Sequence, residues 1–341
     1  MRMVIRRPTL SRGCFVWLVV MVWWFGGCND SVDIIEEGKV IPVVYGFLHV
    51  GDTAQYIRVE KVFGEEGRDA HDAALDSSQI FFGPELEVQM SVDTSEGWYT
   101  LQRVDGLEEG FPRDSGVFFY KSNPLYKLMS NLLDFRADAP VYLRLMLDGV
   151  QIATSSTRLV GPIVMRYPIE PTVYWDKSKP LNMRVKASRS ARVFDIRLRF
   201  HIEERETANP GRVRRVVLDW LAIQMERRAP SVFHFFSIDA GSFYAFLANN
   251  LEVNPDVQRR LMSFDIGVSA GGEEFVEYEN LVLANVGITG ALELPFYSNI
   301  DGGLGIFTSV SHIFLEGYEL NRPSMDSLVA QRALKPYNFV K

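Results

Sequence analysis

Cysteine is nearly absent, no apolar run is long, and basic charge is not in excess; each shortage excludes something. Cys14 and Cys28 are the only cysteines in 341 residues, too few for a disulfide framework or a thiolate zinc site. The longest apolar run, residues 14–25, has twelve residues, against about 20 for a helix that spans a bilayer, so a polytopic helical membrane protein is ruled out. Lys and Arg number 36 against 43 Asp and Glu, which leaves nucleic acid without a basic footprint. The five histidines, His49, His71, His201, His234 and His312, form no HxH, HxxxH or HExxH pattern. No local metal site and no cofactor are expected from them. Internal repeats and low-complexity blocks are also missing. What remains is an ordinary folded composition, 47% apolar and 23% charged, long enough for about two domains.

The first 27 residues carry Arg2, Arg6, Arg7 and Arg12 and no acid, then the short apolar run, then two glycines. This order reads as a secretory signal peptide rather than a signal-anchor helix. Phe25-Gly26-Gly27-Cys28 resembles the lipobox of bacterial lipoproteins, with Phe25 where Leu is commoner. The glycines let the chain enter a peptidase in extended form, and the Cys28 thiol accepts a diacylglyceryl group. Cleavage then frees an amine for a further acyl chain, and two or more chains anchor stably where one does not. Without residues 1–27, 32 basic residues stand against 43 acidic ones, and the formal charge moves from −7 to −11. Cys14 leaves with the signal, so the mature chain has no thiol for catalysis and must be held by its core. Residues 28–39, with Asp30, Asp33, Glu36 and Glu37, form an acidic tether that resembles a surface-export signal.

Beyond the tether the pattern is mostly β. Residues 40–48 are a near-continuous apolar run, expected as a strand covered on both faces. Alternation marks strands at 56–63 and 86–92, with further candidates at 98–104 and 117–121. Residues 64–78 read as a loop or short helix. Leu125, Leu128, Met129, Leu132 and Leu133 are spaced as on a short amphipathic helix over 124–135. Asp148-Gly149 between residues 142–147 and 150–157 reads as a type I′ hairpin. We expect an immunoglobulin-like β-sandwich over 40–160, a boundary at Gly161-Pro162, and a second β-rich (α+β) domain with short helices over 163–341. In that second part, residues 194–203 and 213–225 form a long hairpin, 261–268 a strand, and 243–251 and 275–283 helices.

Gly267-Val268-Ser269-Ala270-Gly271 matches G-x-S-x-G, after a strand and before a helix, and Asp301 and His312 follow in the order found in α/β-hydrolases. A serine hydrolase using Ser269, His312 and Asp301 is therefore the alternative reading. Against it, that fold needs several βαβ units ahead of the serine, whereas the patterns here are antiparallel, and a Ser-Ala-Gly-Gly turn has a cheap structural explanation. Arg197, Arg199, Arg212, Arg214 and Arg215 make residues 184–228 locally basic. They would dock an anionic partner, or form a solvated face neutralised by Glu203, Glu204 and Glu206. Trp98-Tyr99 and Tyr174-Trp175 are sugar-stacking candidates or core. Asp301-Gly302-Gly303-Leu304-Gly305 lacks a phosphate-loop lysine and reads as a turn.

Taken with the lipobox, residues 43–63, 264–278 and 298–307 (SNIDGGLGIF) resemble an uncharacterised family of Bacteroidetes-type outer-membrane lipoproteins, classed as a domain of unknown function. That resemblance implies a lipid-anchored, two-part β-rich protein of the outer membrane, surface-exposed or periplasm-facing, with some members accompanying TonB-dependent transport systems. It implies no catalytic residue, and we expect no enzyme. The expectation is a binding or interaction module whose partners are the membrane, through Cys28, and an outer-membrane transporter or a surface glycan. Cys28→Ser should shift the protein from the membrane to the soluble fraction and remove the acyl mass from its N-terminal peptide in mass spectrometry.

Overall fold

The computed structural model describes residues 40–62, 74–284 and 297–341. The leader, Cys28, the tether, Phe63, His71 and most of the 64–78 segment lie outside the described residues. Alternating patterns account for the first strands. β1 (Pro42–Leu48) buries Val44 and Leu48 and exposes Tyr45 and Phe47, so the run expected to be covered on both faces is covered on one. β-branched and aromatic residues suit an extended backbone whichever face they take. β2 (Ala54–Lys61) returns antiparallel to it and buries Ile57 and Val59. After the single turn α1 (Ser77–Ile80), β3 (Leu86–Ser91) follows as expected.

The strand expected over 98–104 is two. β4 (Tyr99–Thr100) pairs with β3, while β5 (Gln102–Asp105) pairs with β6 (Pro124–Met129). Buried Leu101 between them donates its backbone N–H to the Val88 carbonyl at 2.8 Å, and the chain crosses there from one sheet to another. β6 corrects the amphipathic helix read over 124–135. Its backbone lies between β2 and β5 and supplies hydrogen bonds to both, and only Ser130–Leu132 turns, as 3-10 helix. So short a helical pattern is marginal alone, and an open slot between two strands outweighs it. Residues 117–121 form no strand, and Val117, Phe118 and Tyr120 are exposed. β7 (Pro140–Leu147) and β8 (Val150–Arg158) form the expected hairpin, with Asp148 at φ 50° and Gly149 at φ 79°, as a type I′ turn requires.

The later elements are β9 (Val164–Tyr167), β10 (Thr172–Val173), β11 (Leu181–Lys186), β12 (Val193–Glu206), β13 (Val213–Arg227), β14 (Phe233–Ile238), α2 (Ala240–Asn250), β15 (Val257–Gly271), α3 (Glu273–Ala284), β16 (Leu304–Leu320) and α4 (Arg322–Ala330). The protein is mostly β, with few and short helices. One sheet runs β13-β12-β15-β16-β1-β2-β6-β5, with β10 also on β16; the smaller sheets are β4-β3-β7-β8 and β14-β11-β9.

Two cores lie under this long sheet. Val44, Ile57, Tyr126 and Leu128 of β1, β2 and β6 face Val88, Met90, Val141, Leu143 and Leu145 of the four-stranded sheet. Phe194, Ile196, Leu198 and Phe200 of β12 and Phe264, Ile266 and Val268 of β15 face the three-stranded sheet and α2. In the second core Trp175 is fully buried, stacks on Phe243 at 4.2 Å, and donates Nε1–H to the Ile238 carbonyl at 2.9 Å. Leu159 belongs to the first core and Val160 to the second, while Ile300 and Phe307 come back from late in the chain to complete the first.

A buried ion pair closes the far end. Arg259 donates Nε–H to Glu204 Oε1 at 2.8 Å and Nη1–H to the Tyr337 carbonyl at 3.1 Å, and Arg214 holds the other Glu204 oxygen. The 298–307 element is a structural joint. The Asn299 side chain donates to the Phe307 carbonyl and accepts its N–H, at 2.7 and 2.9 Å, acting as a short strand partner. Gly305, at φ 111°, lies so close to β1 that an added Cβ would stand 2.0 Å from the Val44 carbonyl oxygen. Only glycine meets both conditions. Gly305→Ala should therefore lower stability by about 1–3 kcal/mol, read as an earlier urea midpoint. Gly116→Ala, in open space, should leave the midpoint unchanged.

Candidate functional site

The G-x-S-x-G motif is the last five residues of β15. Ser269 lies between Asp195 on β12 and His312 on β16 in the antiparallel register. Gly267 and Gly271 are not among the positive-φ glycines, so the sharp strand-to-helix elbow expected around Ser269 is replaced by extended backbone. Gly271 has a packing reason instead: the Phe275 ring of α3 sits over it, 2.4 Å from where a Cβ would stand. Periodicity could not separate these cases, because small residues serve a tight turn and a ring-covered strand equally.

Ser269 and His312 are thus brought together on the outer face of the long sheet. Asp301 is not; it bridges to Thr154 of β8, exchanging backbone hydrogen bonds at 2.8 and 2.9 Å. The acid in the row is Asp195, which the sequence reading did not single out. Its Oδ1 accepts the Met225 N–H at 2.6 Å, holding Met225 at φ 48° in a bulged stretch of β13. Val193, Met225, Phe275 and Val310 wall a cavity of about 270 Å³ over this row. His312 stacks on His49 at 4.8 Å, and His49 Nδ1 lies 2.9 Å from Asp52. Among the described residues no hydrogen bond joins the Ser269 hydroxyl to His312. The row offers a hydroxyl, an imidazole and apolar walls.

A larger groove, about 710 Å³, opens beside it. Arg192 and Glu273 line the groove, while Val193 and Phe275 line the smaller cavity. One wall is the outer face of β7 and β8, where Tyr142 pairs with Ser156 and Pro140 with Arg158. The opposite wall is the 189–192 loop. Arg192 is ion-paired with Glu273, and Arg158 Nη1 donates to the Asp138 carbonyl at 3.1 Å. Asp138, at φ 65°, accepts the Ser190 N–H at 2.7 Å. Arg189 is exposed and has no partner among the described residues.

The other candidates sort themselves by burial. His234 is buried, and burial, together with the Arg228 charge, holds its imidazole below the ordinary histidine range against the opposing hydrogen bond to Ser231. His201 Nε2 lies 2.6 Å from Asp265, whose other oxygen accepts the Gly317 N–H. Arg205, Arg212 and Arg214 pair with Glu203, Glu206 and Glu204, so much of the basic stretch is a neutralised strand face. Trp175 is core, whereas Tyr99 is exposed and Trp98 lies under the Arg144 guanidinium at 4.2 Å. Burial also raises the Tyr297 hydroxyl pKa, with the Glu277 carboxylate adding to it. Among the described residues no three His, Cys, Asp or Glu are placed to hold a metal ion.

No protein-family model matches the chain, and no curated protein matches it. The site must be judged on its own geometry. A fluorophosphonate probe should label the protein no more than it labels Ser269→Ala; labelling that disappears in that variant would make Ser269 a nucleophile.

Proposed function

We propose that the chain is a binding module, held on the outer membrane by lipid on Cys28, whose ligand is a surface glycan received in the groove beneath Arg189. Arg189, exposed and without a partner among the described residues, lines one groove with Tyr142, Ser156 and Arg158, and this carries the reading. Sugars present paired hydroxyls to planar donors and lay a ring face on an aromatic, and this groove has guanidinium forks, hydroxyls and one tyrosine ring. Its volume lies in the range of small-ligand sites. The lipobox, the acidic tether and the resemblance to outer-membrane lipoproteins support the location. In this role the module serves a TonB-dependent transport system by holding glycan at the membrane.

Binding of the full chain to a glycan array tests the reading. At least one oligosaccharide class should be retained, with Arg189→Ala weakening it about tenfold, the worth of one charge-assisted hydrogen bond, and Ser269→Ala leaving it unchanged. A blank array with a transporter recovered from native membranes would overturn the glycan in favour of a protein partner.

A further inference from the structure

β13 is an edge strand: it pairs with β12 on one side and, among the described residues, with nothing on the other. It is also long, and a long open edge is a template for another strand. Its register with β12 is regular from Val213, opposite Arg205, to Leu221, opposite Arg197, and shifts beyond that point. The straight part of the edge is therefore residues 213–221, with Val217 at its centre.

That stretch is self-complementary about its centre. On the outer face stand Val213, Arg215, Val217, Asp219 and Leu221. Laid antiparallel against itself with Val217 on the two-fold axis, Arg215 meets Asp219 twice, Val213 meets Leu221 twice, and Val217 meets its own copy; Asp219 also accepts from Arg199 of its own chain at 2.8 and 3.3 Å, so Arg215 would join an existing ion pair. On the inner face the same register sets Val216 against Leu218, and Arg214, held by Glu204 of its own chain, against Trp220. The free edge is under-covered in the way this predicts. Val213 and Val217 are 45% and 52% exposed, Val216, Leu218 and Trp220 reach the second core only half-buried, and Arg215 has no hydrogen-bond or ion-pair partner among the described residues. We infer that β13 is the interface of a two-fold homodimer, in which two copies join edge to edge in this register and continue the long sheet across the axis. A two-fold contact uses one patch on both copies, which is the property this strand has.

Sedimentation of the full chain across a concentration series tests the inference. A reversible dimer is expected. Arg215→Asp, which removes no intramolecular ion pair and sets like charges opposite each other, should weaken it by about tenfold or more. Val217→Asp, with two carboxylates at the axis, should do the same. Arg215→Asp combined with Asp219→Arg and Arg199→Asp should restore association, because only this register exchanges positions 215 and 219, and Arg199→Asp keeps the Arg199–Asp219 ion pair with its signs reversed. Circular dichroism confirms that each variant is folded. A chain that stays monomeric at every concentration, a dimer indifferent to both single variants, or a triple variant that is folded and does not recover would overturn the inference.

Discussion

One hydroxyl fastens three distant parts of the chain. Ser309, with no exposed surface, donates to the Leu48 carbonyl and accepts the Val160 N–H, each at 2.9 Å. It sits on β16, which pairs with β15 antiparallel and with β1 parallel. Two sheets' worth of strands thereby become one, with a core beneath each half. A buried hydroxyl so placed is fully satisfied, while its absence would orphan a buried N–H and a carbonyl at the junction of both cores.

The candidate site is a by-product of that junction. Because β12, β15 and β16 lie in one sheet, Asp195, Ser269 and His312 form a row across it, and α3, starting two residues after β15 ends, lays Phe275 over the row. The groove lies where the β7–β8 hairpin approaches the 189–192 loop, so its two walls come from different halves of the chain. Tyr142 and Arg189 are aligned by both cores together.

Local patterns were readable where one short-range rule acts alone. The β7–β8 hairpin follows from Asp148-Gly149, the long β12–β13 pair from alternation, and α2 and α3 from helical spacing. Errors arose where partners far along the chain decided. The 124–135 segment has helical spacing but is claimed as a strand by β2 and β5; the 98–104 segment is cut at Leu101 because two sheets compete for it. For the site, Ser269 and His312 were legible as residue types, but their meeting depends on a register between strands more than forty residues apart. Asp195 carried no signal, because an aspartate on a solvated strand face looks like any other. Arg189 was equally silent: its lack of a partner among the described residues is a property of the packed structure.

The parallel contact between β1 and β16 also has a kinetic side. Val44 faces Gly305 across it, so the opening strand waits for a neighbour that leaves the ribosome some 260 residues later. The tail is tied in as well, Arg259 donating to the Tyr337 carbonyl and Val340 N–H to the Arg259 carbonyl. Such non-local topology folds slowly. The long sheet therefore cannot close between its two halves until the residues of β16 are present to stand beside β1.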